Sequence, residues 1–129
     1  MYPTNLFYTK EHEYLQILSK ANNGDIARIG ITHFAQKELG DIVFVDILKQ
    51  EKVIKDQVFG SIEAVKVVSD LFSPVSGKII NINNVIIDNP ELINEDPYGN
   101  WIIEIEITNA DELTNLLTSS EYKKLINEN

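Results

Sequence analysis

The residue types that could do chemistry concentrate in one stretch, Gly60-Ser61-Ile62-Glu63-Ala64-Val65-Lys66-Val67-Val68-Ser69-Asp70-Leu71-Phe72-Ser73-Pro74-Val75-Ser76-Gly77. A single lysine, Lys66, sits between two β-branched runs, with Glu63 three residues before it and Asp70 four after. If the chain reverses at Val65-Lys66, the amine stands at a hairpin tip on a base made rigid by two strands. A lysine at a turn is more often a solvated charge, and the local pattern does not choose between the two. Glu63 and Asp70 could also be read as the paired acids of an enzyme site.

Other candidates are weaker. His12 and His33 are the only histidines and are too far apart for a local metal motif, so His12 reads as a strand-surface or packing residue. Ser73-Pro74 and Ser76-Gly77 are turn chemistry, because no Gly-x-Ser-x-Gly elbow surrounds either serine. The acidic run from Asp88 to Gly99 lacks the alternating spacing of a calcium loop, and turn formation explains its prolines, asparagines and glycine.

Composition narrows the classes. The chain has 129 residues, enough for one domain with a real core, and its 43% apolar and 24% charged residues are those of a globular protein. Eleven basic against 20 acidic residues give a net charge of −9, which argues against a nucleic-acid footprint and suits partners with basic docking surfaces. Cysteine is absent, so disulfides, thiolate metal sites and a cysteine nucleophile are excluded, and any sulfur chemistry needs an attached group. No apolar run approaches the roughly 20 residues that span a bilayer. Met1-Tyr2-Pro3-Thr4 carries neither a signal nor a transit pattern, which leads to the expectation of a cytoplasmic protein.

The elements that would position Lys66 are mostly strands. Trp101 to Ile107 alternates, with Trp101, Ile103, Ile105 and Ile107 on one face and Ile102, Glu104 and Glu106 on the other. Further β-rich runs are Tyr14 to Leu18, Ile26 to Ile31, Ile42 to Leu48, Val58 to Val65, Val67 to Phe72 and Ile79 to Ile87. Turn residues separate them at Asn22-Asn23-Gly24, Ser73-Pro74, Ser76-Gly77 and across Asp88 to Asn100. Thr32 can cap a short helix through Leu39, with Gly40 at its end. Asp111 to Leu117 and Ser120 to Ile126 read as two more helices, Ser120 capping the second. The expectation is a single domain over 1–129 with a helical tail at about 110–127.

Glu63-Ala64-Val65-Lys66-Val67-Val68-Ser69-Asp70 followed by Ser73-Pro74-Val75-Ser76-Gly77 resembles the lipoylation segment of glycine cleavage H-proteins. Three more blocks resemble that family in order and spacing. They are Tyr8-Thr9-Lys10-Glu11-His12-Glu13, Ala27-Arg28-Ile29-Gly30-Ile31-Thr32 with Leu39-Gly40-Asp41-Ile42-Val43-Phe44-Val45, and Asn89-Pro90-Glu91-Leu92-Ile93-Asn94-Glu95-Asp96-Pro97-Tyr98-Gly99 before Trp101. Together they cover about Phe7 to Ile126. Departures are mild: Tyr14 stands where tryptophan is usual, His33 where an acid or amide is common, the Ser19 to Asp25 turn is longer and the Gly99 to Trp101 junction one residue shorter.

The resemblance implies an all-β fold, a barrel-sandwich hybrid of two antiparallel sheets with short peripheral helices. It implies lipoic acid joined by an amide to Lys66, with Glu63 and Asp70 recognised by the lipoylating enzyme. Glu13 and Asp70 would meet the methylamine group of the loaded arm, and Ile31 would wall its cleft. The protein would be a non-catalytic, monomeric carrier of glycine catabolism and one-carbon metabolism. It would take an aminomethyl group from the pyridoxal-phosphate-dependent glycine decarboxylase to the tetrahydrofolate-dependent aminomethyltransferase, and electrons to dihydrolipoamide dehydrogenase. Rival readings are a biotin carrier, which typically has methionines where Val65 and Val67 stand, a lipoyl relay to 2-oxoacid dehydrogenases, and an unmodified acidic interaction module.

Overall fold

A computed structural model describes residues 1–19 and 25–128. In chain order the elements are β1 (Phe7–Tyr8), β2 (Glu13–Ser19), β3 (Ile26–Ile31), α1 (His33–Leu39), β4 (Ile42–Ile47), β5 (Lys52–Val53) and β6 (Val58–Ala64). There follow β7 (Val68–Phe72), β8 (Gly77–Ile82), α2 (Asn84–Asp88), α3 (Leu92–Glu95), β9 (Ile103–Ile107), a 3-10 turn (Ala110–Asn115) and α4 (Ser119–Leu125). The strands form two antiparallel sheets, a six-stranded one ordered β1-β2-β3-β9-β8-β5 and a three-stranded one ordered β4-β6-β7. The expected all-β sandwich with small helices is what the chain forms, with the two sheets not closed into one barrel.

Alternation explains the packing. Ile29 faces Ile103 and Ala27 faces Ile105 across β3 and β9, and these side chains meet Phe59, Ile62 and Leu71 of the smaller sheet in one apolar core. Where Tyr14 lies over β3, its partner is Gly30, and a Cβ there would fall 2.6 Å from the tyrosine hydroxyl. That hydroxyl donates to the Pro97 carbonyl at 2.8 Å, so the substitution for tryptophan keeps both an aromatic body and a polar end. A second cluster joins Tyr2, Leu6, Tyr8, Tyr14 and Tyr122.

The helix at 33–39 forms as the residues dictate. The Thr32 side chain accepts from the Ala35 N–H, and Gly40 ends the helix at φ 77°. Elsewhere the structure corrects the reading. The run Ile79 to Ile87 is not one strand: β8 ends at Ile82, and the Asn83 side chain caps α2. The stretch Asp88 to Asn100 contains α3, and β9 starts at Ile103, two residues later than its alternation suggests. In place of an α-helix over Asp111 to Leu117 the chain forms a 3-10 turn, Ala110–Asn115, and Leu116 is extended. The final helix starts at Ser119 and is capped by Thr118 in a capping box with Glu121, so Ser120 lies inside the first turn and is not the cap. The Asn22-Asn23-Gly24 turn lies outside the described residues. Among the described residues no helix is long and apolar enough to cross a membrane.

Candidate functional site

Lys66 stands at the tip of the β6–β7 hairpin. The Ala64 N–H donates to the Val67 carbonyl at 2.8 Å, leaving Val65 and Lys66 as the two loop residues. Neither takes a positive φ, so the turn is not of the mirror-image kind that asparagine–glycine pairs favour. A further bond, Val65 N–H to the Asp41 carbonyl at 3.3 Å, ties the tip to the start of β4. Lys66 is exposed and makes no ion pair among the described residues. Around it Val65 is 70% and Val68 62% exposed, an unusual outlay of apolar surface beside a charge.

Glu63 lies on the outer face of the small sheet, level with Phe44 on one side and Val68 on the other. Asp70 shares that face, level with Ser61, which in turn faces Asp46. The two acids therefore flank the lysine on one exposed sheet surface instead of converging on a shared proton, which disfavours an enzyme's acid pair.

Behind the hairpin lies a cavity of about 130 Å³. Its walls bring together Glu13, Ile31 and Asp70, which are far apart in sequence, with Ala35 and Leu39 of α1 opposite Ser69 and Leu71 of β7. A more open hollow beside Lys66 shares Glu38 and Leu39 with it, so the two lie side by side at the end of α1. The volume is small against the roughly 300–1,000 Å³ of sites for free ligands of drug size. It suits the end of a slender chain.

Glu13 is the chemically distinctive group of that cavity. It is 2% exposed, accepts from the Thr9 hydroxyl at 2.9 Å and from the Phe72 N–H at 3.4 Å, and has no cation beside it among the described residues. Burial pushes its carboxyl up to about 8, against the pull of those two hydrogen bonds, and the negative charges of Glu11 and Asp56 push the same way as burial. Glu13 is thus a neutral acid at neutral pH while the cavity is empty of charge.

His12 also lines the cavity, where its residue type suggested only surface or packing. Its backbone is left-handed at φ 73°, its ring lies on Phe34 at 4.7 Å, and Nδ1 is 2.8 Å from the Tyr122 hydroxyl. The same hydroxyl is 2.7 Å from Oγ1 of Thr32, the residue that caps α1. Burial lowers the imidazole pKa, with Glu11 and Glu38 opposing. His33 is elsewhere, against Tyr2 and Gln36. Ser73 donates to the Val75 carbonyl and Ser76 to Glu112, and Asp96 accepts from the Tyr98 and Gly99 N–H groups, so these are turn residues. Among the described residues no three histidines or acids gather to hold a metal ion.

The sequence profile described as Glycine cleavage H-protein matches residues 6–129, hairpin, cavity and final helix included. The chain belongs to the glycine cleavage H-protein family. Relatives of this family named glycine cleavage system H protein include one from Bacteroides fragilis, 46% identical with 98% of each chain covered, and one from Carboxydothermus hydrogenoformans, 45% identical over 98% of this chain and 95% of the other. The crystal structure of a glycine cleavage system H protein from Mycobacterium marinum superposes with a TM-score of 0.86 at 38% identity, over 97% of this chain and 98% of that one. H-protein membership sets aside the biotin carrier.

Proposed function

We propose that this H-protein is a carrier with lipoic acid joined through an amide to Lys66. The observation that carries the reading is a lysine on a rigid tip near a cavity that holds a buried carboxylic acid with no cation beside it among the described residues. Those residues fit the group: a narrow cavity near the lysine, with apolar walls from Ile31, Phe34, Leu39 and Leu71 and the buried acid Glu13. Attached there, lipoic acid supplies the redox-active sulfurs and the one-carbon attachment point that a cysteine-free chain lacks.

The chain's own residues do the rest. The hairpin keeps the base of the arm fixed, so each delivery is a local search at high effective concentration. Ile31 and Leu39 line the cavity with apolar surface that excludes water from the cargo. An aminomethyl cargo brings a cation to Glu13, which favours the carboxylate; Glu13 then releases its proton and forms a charge-assisted hydrogen bond through Oε1 or Oε2. Asp70, at the rim, adds negative field. Glu63 and Asp70, displayed with the exposed valines, offer the lipoylating enzyme an acidic and apolar surface to read.

The client reactions are those of the glycine cleavage system: a pyridoxal-phosphate-dependent glycine decarboxylase loads the carrier, a tetrahydrofolate-dependent aminomethyltransferase unloads it and dihydrolipoamide dehydrogenase reoxidises it. The chain itself is non-catalytic, monomeric and cytoplasmic, one carrier domain over 1–129 with its tail at about 110–127. Intact mass after incubation with a lipoylating enzyme and lipoate tests the centre of the reading. Wild type gains one lipoyl group and Lys66→Arg gains none. No gain, or a gain that survives the substitution, sinks it.

A further inference from the structure

Among the described residues that line the cavity, Glu11, Glu13, Glu38 and Asp70 are acids, and His12 is the one nitrogen base. His12 directly precedes Glu13, so a cation held at that acid has an imidazole for a neighbour. A neutral imidazole carries an N–H on one nitrogen and a lone pair on the other. Its effect on a cation depends on which of the two it presents.

The hydrogen bonds behind the ring decide this. Thr32 and Tyr122 are both fully buried, so their hydroxyl protons must find acceptors within the protein. Thr32 Oγ1 accepts from the Ala35 N–H at 3.2 Å and otherwise meets, among the described residues, the Tyr122 hydroxyl at 2.7 Å. The Thr32 proton therefore goes to Tyr122. Having accepted that bond, the Tyr122 hydroxyl donates its own proton to His12 Nδ1 at 2.8 Å. The reverse order would leave the Thr32 proton buried without an acceptor, which is costly. Burial also raises the Tyr122 phenol pKa and lowers that of the imidazole, so the donor keeps its proton and the ring stays neutral. With the Nδ1 lone pair filled, the ring's own proton sits on Nε2. Among the described residues Nε2 has no hydrogen-bond partner and no buried side-chain nitrogen is left unpaired, so Nε2 is the open nitrogen of this cavity-lining ring.

An aminomethyl group on sulfur is lost through its free amine. A base first takes a proton from the ammonium. The nitrogen lone pair then forms a C=N bond as the C–S bond breaks, and the sulfur departs as thiolate with that electron pair. Water adds to the iminium carbon and yields formaldehyde and ammonium. A neutral imidazole is well matched to the first step near neutral pH. Resting on the carrier reading, we propose that Tyr122 disarms His12 as a base: by filling Nδ1 it fixes the Nε2–H tautomer, and the cavity guest meets a donor with no lone pair to receive its proton. Tyr122 is thus a positioning residue that acts through His12, and α4 prolongs the life of the loaded carrier without touching the cargo.

Imidazole ¹⁵N shifts of the unmodified protein, at about pH 7.5, give the first test. Nδ1 should show the shift of an unprotonated acceptor and Nε2 that of an N–H, and in Tyr122→Phe the other tautomer should appear beside it. An Nδ1–H tautomer in the wild type overturns the proposal and leaves the carrier reading intact. The second test is formaldehyde release from lipoylated protein, loaded with glycine and the decarboxylase and then purified from both. Release should run about threefold or more faster in Tyr122→Phe, and adding His12→Asn to that variant should bring it down to the rate of His12→Asn alone. An unchanged rate in Tyr122→Phe overturns the proposal, and so does an acceleration that persists without the imidazole, which would mean loosened packing. If Lys66 takes no lipoyl group, the carrier reading falls and this one with it.

Discussion

Two glutamates are buried in this fold, and their surroundings differ in one respect. On the outer face of the six-stranded sheet, Glu104 is 9% exposed and is held by Arg28 Nε at 2.8 Å and the Asn81 amide at 2.7 Å. Arg28 in turn lies over the Trp101 ring at 4.9 Å. Burial raises the Glu104 carboxyl, but the hydrogen bonds of Arg28 and Asn81 and the guanidinium charge outweigh it, and the pKa falls below the usual range. In the cavity, Glu13 has a hydroxyl and one backbone N–H but no cation, and burial wins. The first acid is complete as folded and serves the sheet. The second is complete only when something positive arrives, which is the mark of a site.

Raising the pH widens that contrast most. The Glu13 carboxyl lies near 8 in the folded chain against 4.5 unfolded, so between those values the folded state binds more protons. Its stabilising contribution is full below about 4.5 and is lost as pH rises through 8, on the order of 3 kcal/mol already gone at pH 7 as an upper figure. Urea unfolding of wild type and Glu13→Gln between pH 5 and 8 checks this. The two curves should diverge with pH in favour of the variant, and parallel curves would mean that Glu13 ionises normally. Glu104→Gln is expected to behave oppositely. It should cost about 1–2 kcal/mol at pH 7, and the cost should shrink as pH falls through the lowered pKa of Glu104, because the wild-type carboxylate is then lost too. A variant as stable as wild type at pH 7 would deny Glu104 its structural role. Thr9→Val is the smallest and sharpest change. Losing the hydroxyl donor should raise the Glu13 pKa further, by less than about one unit, as followed by a carboxyl ¹³C titration; an unchanged midpoint would show that Thr9 does not hold the acid.

Much of the scaffold was legible because it is written locally. A β-rich run marked β3 to the residue, alternation marked most of β9, and Thr32 with Gly40 bracketed α1. The hairpin was visible because two β-branched runs straddle Val65-Lys66. The run Ile79 to Ile87 misled because α2 is apolar and β-branched, and only the Asn83 cap separates it from the strand. Period two says which face a residue takes, not which strand lies beside it, so the division into six and three strands had no local signal. Spacing hid the candidate cavity for the same reason, and only the family resemblance named Glu13, Ile31 and Asp70 together. Glu13 opens a strand and looks like a surface acid; Thr9 is a local partner four residues away, but the bond from the Phe72 N–H follows from long-range packing. His12 owes its place to Tyr122, a partner that no spacing rule connects to it.

The bond between His12 and Tyr122 joins residues 110 apart, and Tyr8 pairs with Leu117 across a similar span. The hairpin that presents Lys66 closes between residues three apart. Loop closure makes distant contacts slow to form and near ones quick. During synthesis, then, the lysine can be displayed on its hairpin while the wall that His12 and α1 give the cavity still waits for residues 117 to 122 to leave the ribosome, so the proposed attachment point is assembled before the cavity proposed to shelter its cargo.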